Sequence, residues 1–150
     1  METLTQKILV ATDFSEESML ALDAAALLAR QNEAEVVLAH VFEASRFAPV
    51  VEKPDGTQEI EKQLRAELHN QLRTLANDHF SNVTVKTALV VSKNAADGIC
   101  NYAADAEVDL IVVATHGRSG LSHLLIGSVA EKVVRHAPCP VLSLRAKRAK

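Results

Sequence analysis

Two periodicities alternate along this chain. Lys7-Ile8-Leu9-Val10-Ala11-Thr12 is a short apolar run that ends in polar residues. Glu35-Val36-Val37-Leu38-Ala39-His40-Val41-Phe42 is almost wholly apolar, as expected of a strand buried on both faces of a parallel sheet. Val83 to Val90 alternates more, Val108 to Thr115 gives a fourth run, and Val141 to Arg145 a fifth. Between the runs, apolar residues return at helical spacing. Met19, Leu22, Ala26 and Ala29, broadened by Leu27 and Leu28, predict one helix, and Ile60, Leu64, Leu68, Leu72 and Leu75 a second. A third, near Ala95 to Asp105, is weakened by Gly98. A fourth opens at Gly127-Ser128 and runs to about His136.

The punctuation agrees with the periodicity. Ser15 is placed as an N-cap, with Glu16 and Glu17 in the first turn where the helix dipole favours acids. Glu43 to Gly56 carries Pro49, Pro54, Asp55 and Gly56 and reads as a loop long enough to suggest function or mobility. The resulting β-α-β-α-β-α-β-α-β order predicts an α/β fold: an open, doubly wound parallel sheet, helices on both faces, right-handed crossovers. Ligands of such sheets sit beyond the carboxyl ends of the strands, where strand order reverses. Asp13 follows the first strand and Gly117 the fourth. They share one crevice if those strands are neighbours, an adjacency the pattern alone leaves open.

Composition narrows the class. A chain of 150 residues suggests a single domain spanning 1–150. No basic-then-apolar leader is visible at the N-terminus, and no apolar run approaches the roughly 20 residues of a membrane span, so a cytoplasmic protein is expected. The net charge of −3 gives no general attraction to nucleic acid or membrane. Aromatics are only 3% with no Trp, which argues against base-stacking platforms. Cys100 and Cys139 form no C-x-x-C and read as buried, reduced, small hydrophobes. The tail Ala146-Lys147-Arg148-Ala149-Lys150 reads as a solvated end.

The candidate chemistry concentrates in His116-Gly117-Arg118-Ser119-Gly120 and Gly127-Ser128-Val129. A strand, a glycine-bearing loop and a helix start are the parts of a phosphate-binding turn: glycine lets the backbone approach an anion, and the helix start offers unpaired N–H groups. Ser128-Val129-Ala130-Glu131 is also a capping box, which explains Ser128 without a ligand. Arg118 reads equally as a phosphate partner or a solvated loop residue. His116, His123 and His136 supply no convergent metal set, and no metal site is expected. His40 is assigned to core or crevice packing, His69 and His79 to helix surfaces. No nucleophile–base pair stands out, G-x-S-x-G is missing around Ser119 and Ser122, and there is no G-x-x-x-x-G-K-[ST] loop. Fast phosphoryl transfer is therefore not expected, and no catalytic residue is assigned.

Together, Lys7 to Ser15, His40-Val41, Asp109 to Gly120 and Gly127 to Val141 resemble the universal stress protein family over essentially the whole chain. The resemblance implies strand order 3-2-1-4-5, which makes the first and fourth strands neighbours, and a homodimer formed through the C-terminal strand, where an unpaired sheet edge invites another strand. ATP-binding members carry G-x-x-G, nine residues, then G-[ST]. Gly117 and Gly127-Ser128 keep that spacing here, while Ala114 replaces the first glycine and adds a Cβ; Ala11 stands where some members have proline. Carried over by position, Asp13 would accept from ribose hydroxyls or the adenine region, and Ala11 and Thr12 would line the base side. Val41 would read the adenine edge through its main chain, and Ala114 would lie by the ribose. Gly117, Gly127, Ser128 and Val129 would surround the phosphates of ATP, with any Mg2+ held mainly by those phosphates.

The function expected from this resemblance is an ATP-binding, dimeric regulator or sensor in the stress response, acting on an unknown protein partner and hydrolysing ATP slowly or not at all. The alternative is a non-nucleotide interaction protein of the same fold. A flavin carrier is a weaker reading, because one Tyr and no Trp offer little to stack an isoalloxazine ring.

Overall fold

The structure, a computed structural model, describes residues 5–43, 57–115 and 127–145. Through them the chain runs β1 (Lys7–Ala11), α1 (Glu16–Asn32), β2 (Glu35–Glu43), α2 (Thr57–His79), β3 (Val85–Ser92), α3 (Ala95–Asp105), β4 (Leu110–Thr115), α4 (Ser128–His136) and β5 (Val141–Arg145). The sheet is five-stranded and parallel, in the order β3-β2-β1-β4-β5. This is the doubly wound α/β fold the sequence predicts, with β1 and β4 side by side.

The strand alternation sorts the core into two layers, because successive side chains point to opposite faces. Ile8, Val10, Val36, Leu38 and Val112 pack with the small residues of α1 (Ala21, Ala25, Ala29) and with Leu72 and Ala76 of α2. Leu9, Val37, Ala39, Ile111 and Val113 face the other way, against Ile99, Cys100 and Ala103 of α3 and Ala130 and Val133 of α4. The continuous apolar runs in β1, β2 and β4 are thus read on both sides.

Element ends depart from the pattern by a few residues, for local reasons. The helices α1 and α3 both close through a left-handed residue, Glu33 at φ 53° and Glu107 at φ 54°. The N–H groups of Ala34 and Val108 then reach back to the carbonyls of Ala29 and Ala103, both at 3.0 Å. Val108 is therefore part of the α3 terminus, and β4 starts later than its apolar run suggests. The Asn82 turn, with Val83 donating to Phe80, likewise delays β3 to Val85.

Gly98, which the sequence marks as a weakness of α3, has a packing reason. A Cβ there would stand 2.9 Å from Val41 Cγ1 and 3.0 Å from Ser92 Cβ, so its absence lets α3 sit directly on β2 and β3. His79, expected on a helix surface, is half-buried there. Its side chain is only 20% exposed and its Nδ1 lies 2.8 Å from Asp23 Oδ1, because the last turn of α2 packs on α1, and periodicity does not say which polar residue meets a neighbouring helix. Cys100 is buried, whereas Cys139 is half-buried, a partial correction. Burial, then the Asp97 carboxylate, pushes the Cys100 thiol up. Burial and Asp109 do the same for Cys139 against a backbone hydrogen bond from Ile111.

At the amino ends of the strands, Asp109 ties β4 to β1. Its Oδ2 accepts from the N–H groups of Gln6 and Lys7, both at 2.9 Å, and its own N–H donates to Lys7 O. Asp109→Ala removes two charge-assisted bonds and should lower unfolding stability by about 1–3 kcal/mol. Urea denaturation checks this; an unchanged midpoint would show that the clamp contributes nothing.

Candidate functional site

Where the chain crosses from β1 outward to β2 and later returns to β4, the strand ends open into a cleft of about 610 Å³. That is within the roughly 300–1,000 Å³ of small-molecule sites, and it lies at the position where doubly wound sheets hold ligands. The floor is Ala11, Thr12, Val113 and Ala114. Leu64 and Leu68 of α2 form one wall, Ala95 and Ile99 of α3 the opposite one, and Gly127, Ser128, Val129 and Ala130 the rim at α4.

The turn from β1 into α1 is built by hydroxyls. Ser18 Oγ donates to Ser15 O at 2.8 Å, so the 2.8 Å contact between Thr12 Oγ1 and Ser18 Oγ is a donation from Thr12. Thr12 Oγ1 in turn accepts from the Phe14 N–H at 2.9 Å. Ser15 caps α1 as expected, its Oγ accepting from Ser18 N–H at 3.3 Å. It also donates through its N–H and hydroxyl to Asp13 Oδ1, which orients that carboxylate at the cleft mouth. Thr12 has its remaining backbone groups engaged too. Its N–H donates to Ala39 O at 2.9 Å, and its carbonyl accepts from His40 Nδ1 at 2.8 Å. Thr12 therefore shapes the cleft as part of its floor.

At α4 the capping-box expectation fails. The N-cap is Gly127, at φ −51° and ψ 148°, with no side-chain cap hydrogen bond. Glu131 turns away to Arg135 at 3.1 Å. The helix begins one residue earlier than a Ser128 cap requires, which places Ser128 inside the first turn. The first intrahelical bond is Glu131 N–H to Gly127 O, 2.9 Å. The amides of Ser128, Val129 and Ala130 lie ahead of it with no helical acceptor, at the positive end of the helix dipole.

Ala11, Thr12, Asp13, Val41, Ala114, Gly127, Ser128 and Val129 thus line one cleft. Gly117, Arg118, the remainder of the 116–126 segment with its histidine and serine residues, and the 44–56 segment lie outside the described residues. Sequence reasoning missed Ser18, Leu64, Leu68 and the bonding role of His40. The signal for two of them was present as polar interruptions: a serine on the apolar stripe of α1 and a histidine in the otherwise apolar β2. Among the described residues no group of three or more His, Cys, Asp or Glu could hold a metal ion, and no helix is long and apolar enough to cross a membrane.

The sheet order, the switch-point cleft and the open helix start define an α/β protein of the doubly wound class. Residues 5–145 match the universal stress protein family, and the chain belongs to that family. It is 34% identical to universal stress protein YxiE of Bacillus subtilis, over 93% of this chain and 98% of that one. The solved structure of MJ0577, a universal stress protein of Methanocaldococcus jannaschii, superposes with a TM-score of 0.82 at 30% identity, covering 97% and 99% of the two chains. A universal stress protein of Archaeoglobus fulgidus, solved in complex with dAMP, shares the fold with a TM-score of 0.58 at 22% identity, covering 93% and 98%.

Proposed function

We propose that the cleft binds an adenine nucleotide, ATP in the first place, and that the protein acts as a nucleotide-dependent regulator or sensor in the cytoplasmic stress response. The observation that carries this reading is the cleft itself. It sets the open amides of α4 opposite the oriented Asp13 carboxylate, with an apolar slot between α2 and α3 joining them. The three parts suit the phosphates, the ribose hydroxyls and the base. Gly127, Ser128 and Val129, with Gly117, would surround the phosphates, which would themselves hold any Mg2+. Ala114, adding only a methyl group, would lie by the ribose. Ala11, Thr12 and Val41 would border the base. The dAMP complex of the Archaeoglobus fulgidus relative supports an adenine nucleotide as the ligand class.

A regulator rather than an enzyme is the reading that goes with a sequence carrying neither a G-x-x-x-x-G-K-[ST] loop nor a recognisable nucleophile–base pair. A homodimer through the C-terminal strand fits the position of β5 at the end of the sheet, and the nucleotide-bound surface would be read by a protein partner. Titration calorimetry with ATP should give saturable binding. Asp13→Ala should weaken it by about 10–100-fold, the loss of charge-assisted bonds to ribose. No heat of binding at millimolar ATP would remove the nucleotide reading in favour of a pure interaction protein.

A further inference from the structure

We propose that His40 is a positioning residue: it ends the β1–β2 ladder by taking the Thr12 carbonyl, and so keeps the backbone edge of Val41 open to the cleft. Residues of β2 direct their N–H and C=O groups alternately to the two neighbouring strands. The odd-numbered ones face β1: Glu35 N–H donates to Gln6 O, and Ala39 O accepts from Thr12 N–H, both at 2.9 Å. Even-numbered ones face β3, as in Val36 N–H to Thr84 O at 2.8 Å. Val41 is the next odd residue. In a continued parallel ladder its N–H would donate to Thr12 O.

That bond is not made. The β1–β2 register stops at Ala11↔Ala39, whereas β2 stays paired with β3 as far as Glu43↔Ser92. The Thr12 carbonyl is instead met by His40 Nδ1 at 2.8 Å. A carbonyl only accepts, so Nδ1 carries the hydrogen. The imidazole has replaced the Val41 amide as the donor to Thr12. It also supports the departing chain. Phe14, at φ 66°, holds a left-handed conformation that is costly for an aromatic residue, and its ring packs on His40 with centroids 4.6 Å apart.

Val41 is left with a donor and an acceptor side by side on the β1 side, and its N–H has no acceptor among the described residues. Its side chain is seated on α3 through Gly98, so this edge is held in place. An adenine presents the complement, acceptor N1 beside donor N6–H. Guanine presents N1–H and O6 and would set donor against donor, leaving polar groups unpaired. This consequence rests on the nucleotide reading above; the role of His40 does not.

Amide hydrogen exchange of the ligand-free, full-length chain tests the assignment. In the wild type the Val41 amide should exchange like an exposed one. In His40→Leu it should close onto Thr12 O and exchange at least ~10-fold more slowly, and His40→Asn, which keeps a donor at the Nδ1 position, should restore the wild-type rate. The ATP-over-GTP preference, about tenfold or more in the wild type, should collapse in His40→Leu and persist in His40→Asn. Unchanged Val41 exchange in His40→Leu, or His40→Asn behaving like His40→Leu, overturns the proposal. Should His40→Leu fail to fold, nitrogen-15 spectra of the wild-type imidazole at alkaline pH decide. The Nδ1–H tautomer supports the proposal and the Nε2–H tautomer overturns it. If exchange responds as stated but neither nucleotide binds, the role of His40 stands and the nucleotide reading falls.

Discussion

Replacing Ser128 with glutamate is expected to cut ATP affinity by about 100–1,000-fold while leaving the fold at least as stable. The two effects have opposite signs because one feature, the positive end of α4, serves both. Ser128 is exposed in the first turn and makes no cap hydrogen bond, so the substitution removes nothing the helix uses. A carboxylate in that turn interacts favourably with the dipole and should add about 0.3–1 kcal/mol. The same charge, some 4–5 Å from a bound phosphate at an effective dielectric near 20, repels it by about 3–4 kcal/mol. Titration with ATP and urea denaturation of the same preparation separate the outcomes. Undiminished affinity would show that phosphate does not sit at this helix start, whereas equal losses of affinity and stability would point to general disruption.

The largest stability effect is expected at the centre of the sheet. Leu9 lies in β1, which is paired on both sides, and is 0% exposed among the residues facing α3 and α4. Leu9→Ala should cost about 2–5 kcal/mol, the transfer free energy of the lost methyl groups plus that of a cavity the paired backbone cannot collapse around. Leu27, 52% exposed on α1, is the control: its alanine variant should fall within about 0.5 kcal/mol of wild type. Denaturant midpoints at constant slope measure both. Comparable losses at the two sites would mean that β1 is not the rigid centre of the core.

The contrast between these two leucines marks what a linear pattern can say. Both belong to apolar repeats, and both were legible as parts of a strand and of a helix. Only packing distinguishes the leucine with neighbours on all sides from the one facing water. The same holds for His79, which periodicity places on a helix surface and α1 half-buries beside Asp23. Ser128 shows the limit in the other direction. The spacing Ser128 to Glu131 satisfies a capping box, but the helix boundary falls at Gly127 and the box is not formed. A shift of one residue in a boundary, below the resolution of any sequence pattern, decides whether the first-turn amides are capped or open.

What the sequence determined by itself is the order and kind of the elements, because local periodicity and caps are properties of neighbouring residues. Continuous apolar runs required strands buried on both faces, and their alternation with amphipathic stretches required a doubly wound sheet. The placement of Asp13 and the glycine-rich segment after strands followed from the same reading. What only the tertiary structure decided is which backbone groups are left over. That Thr12 is fully engaged, that Gly98 admits Val41, and that β1 stops pairing while β2 continues all depend on contacts between residues far apart in the chain. Hydrogen-bond satisfaction is a three-dimensional sum. The donors and acceptors that remain for a ligand are those that the folded protein has not already used.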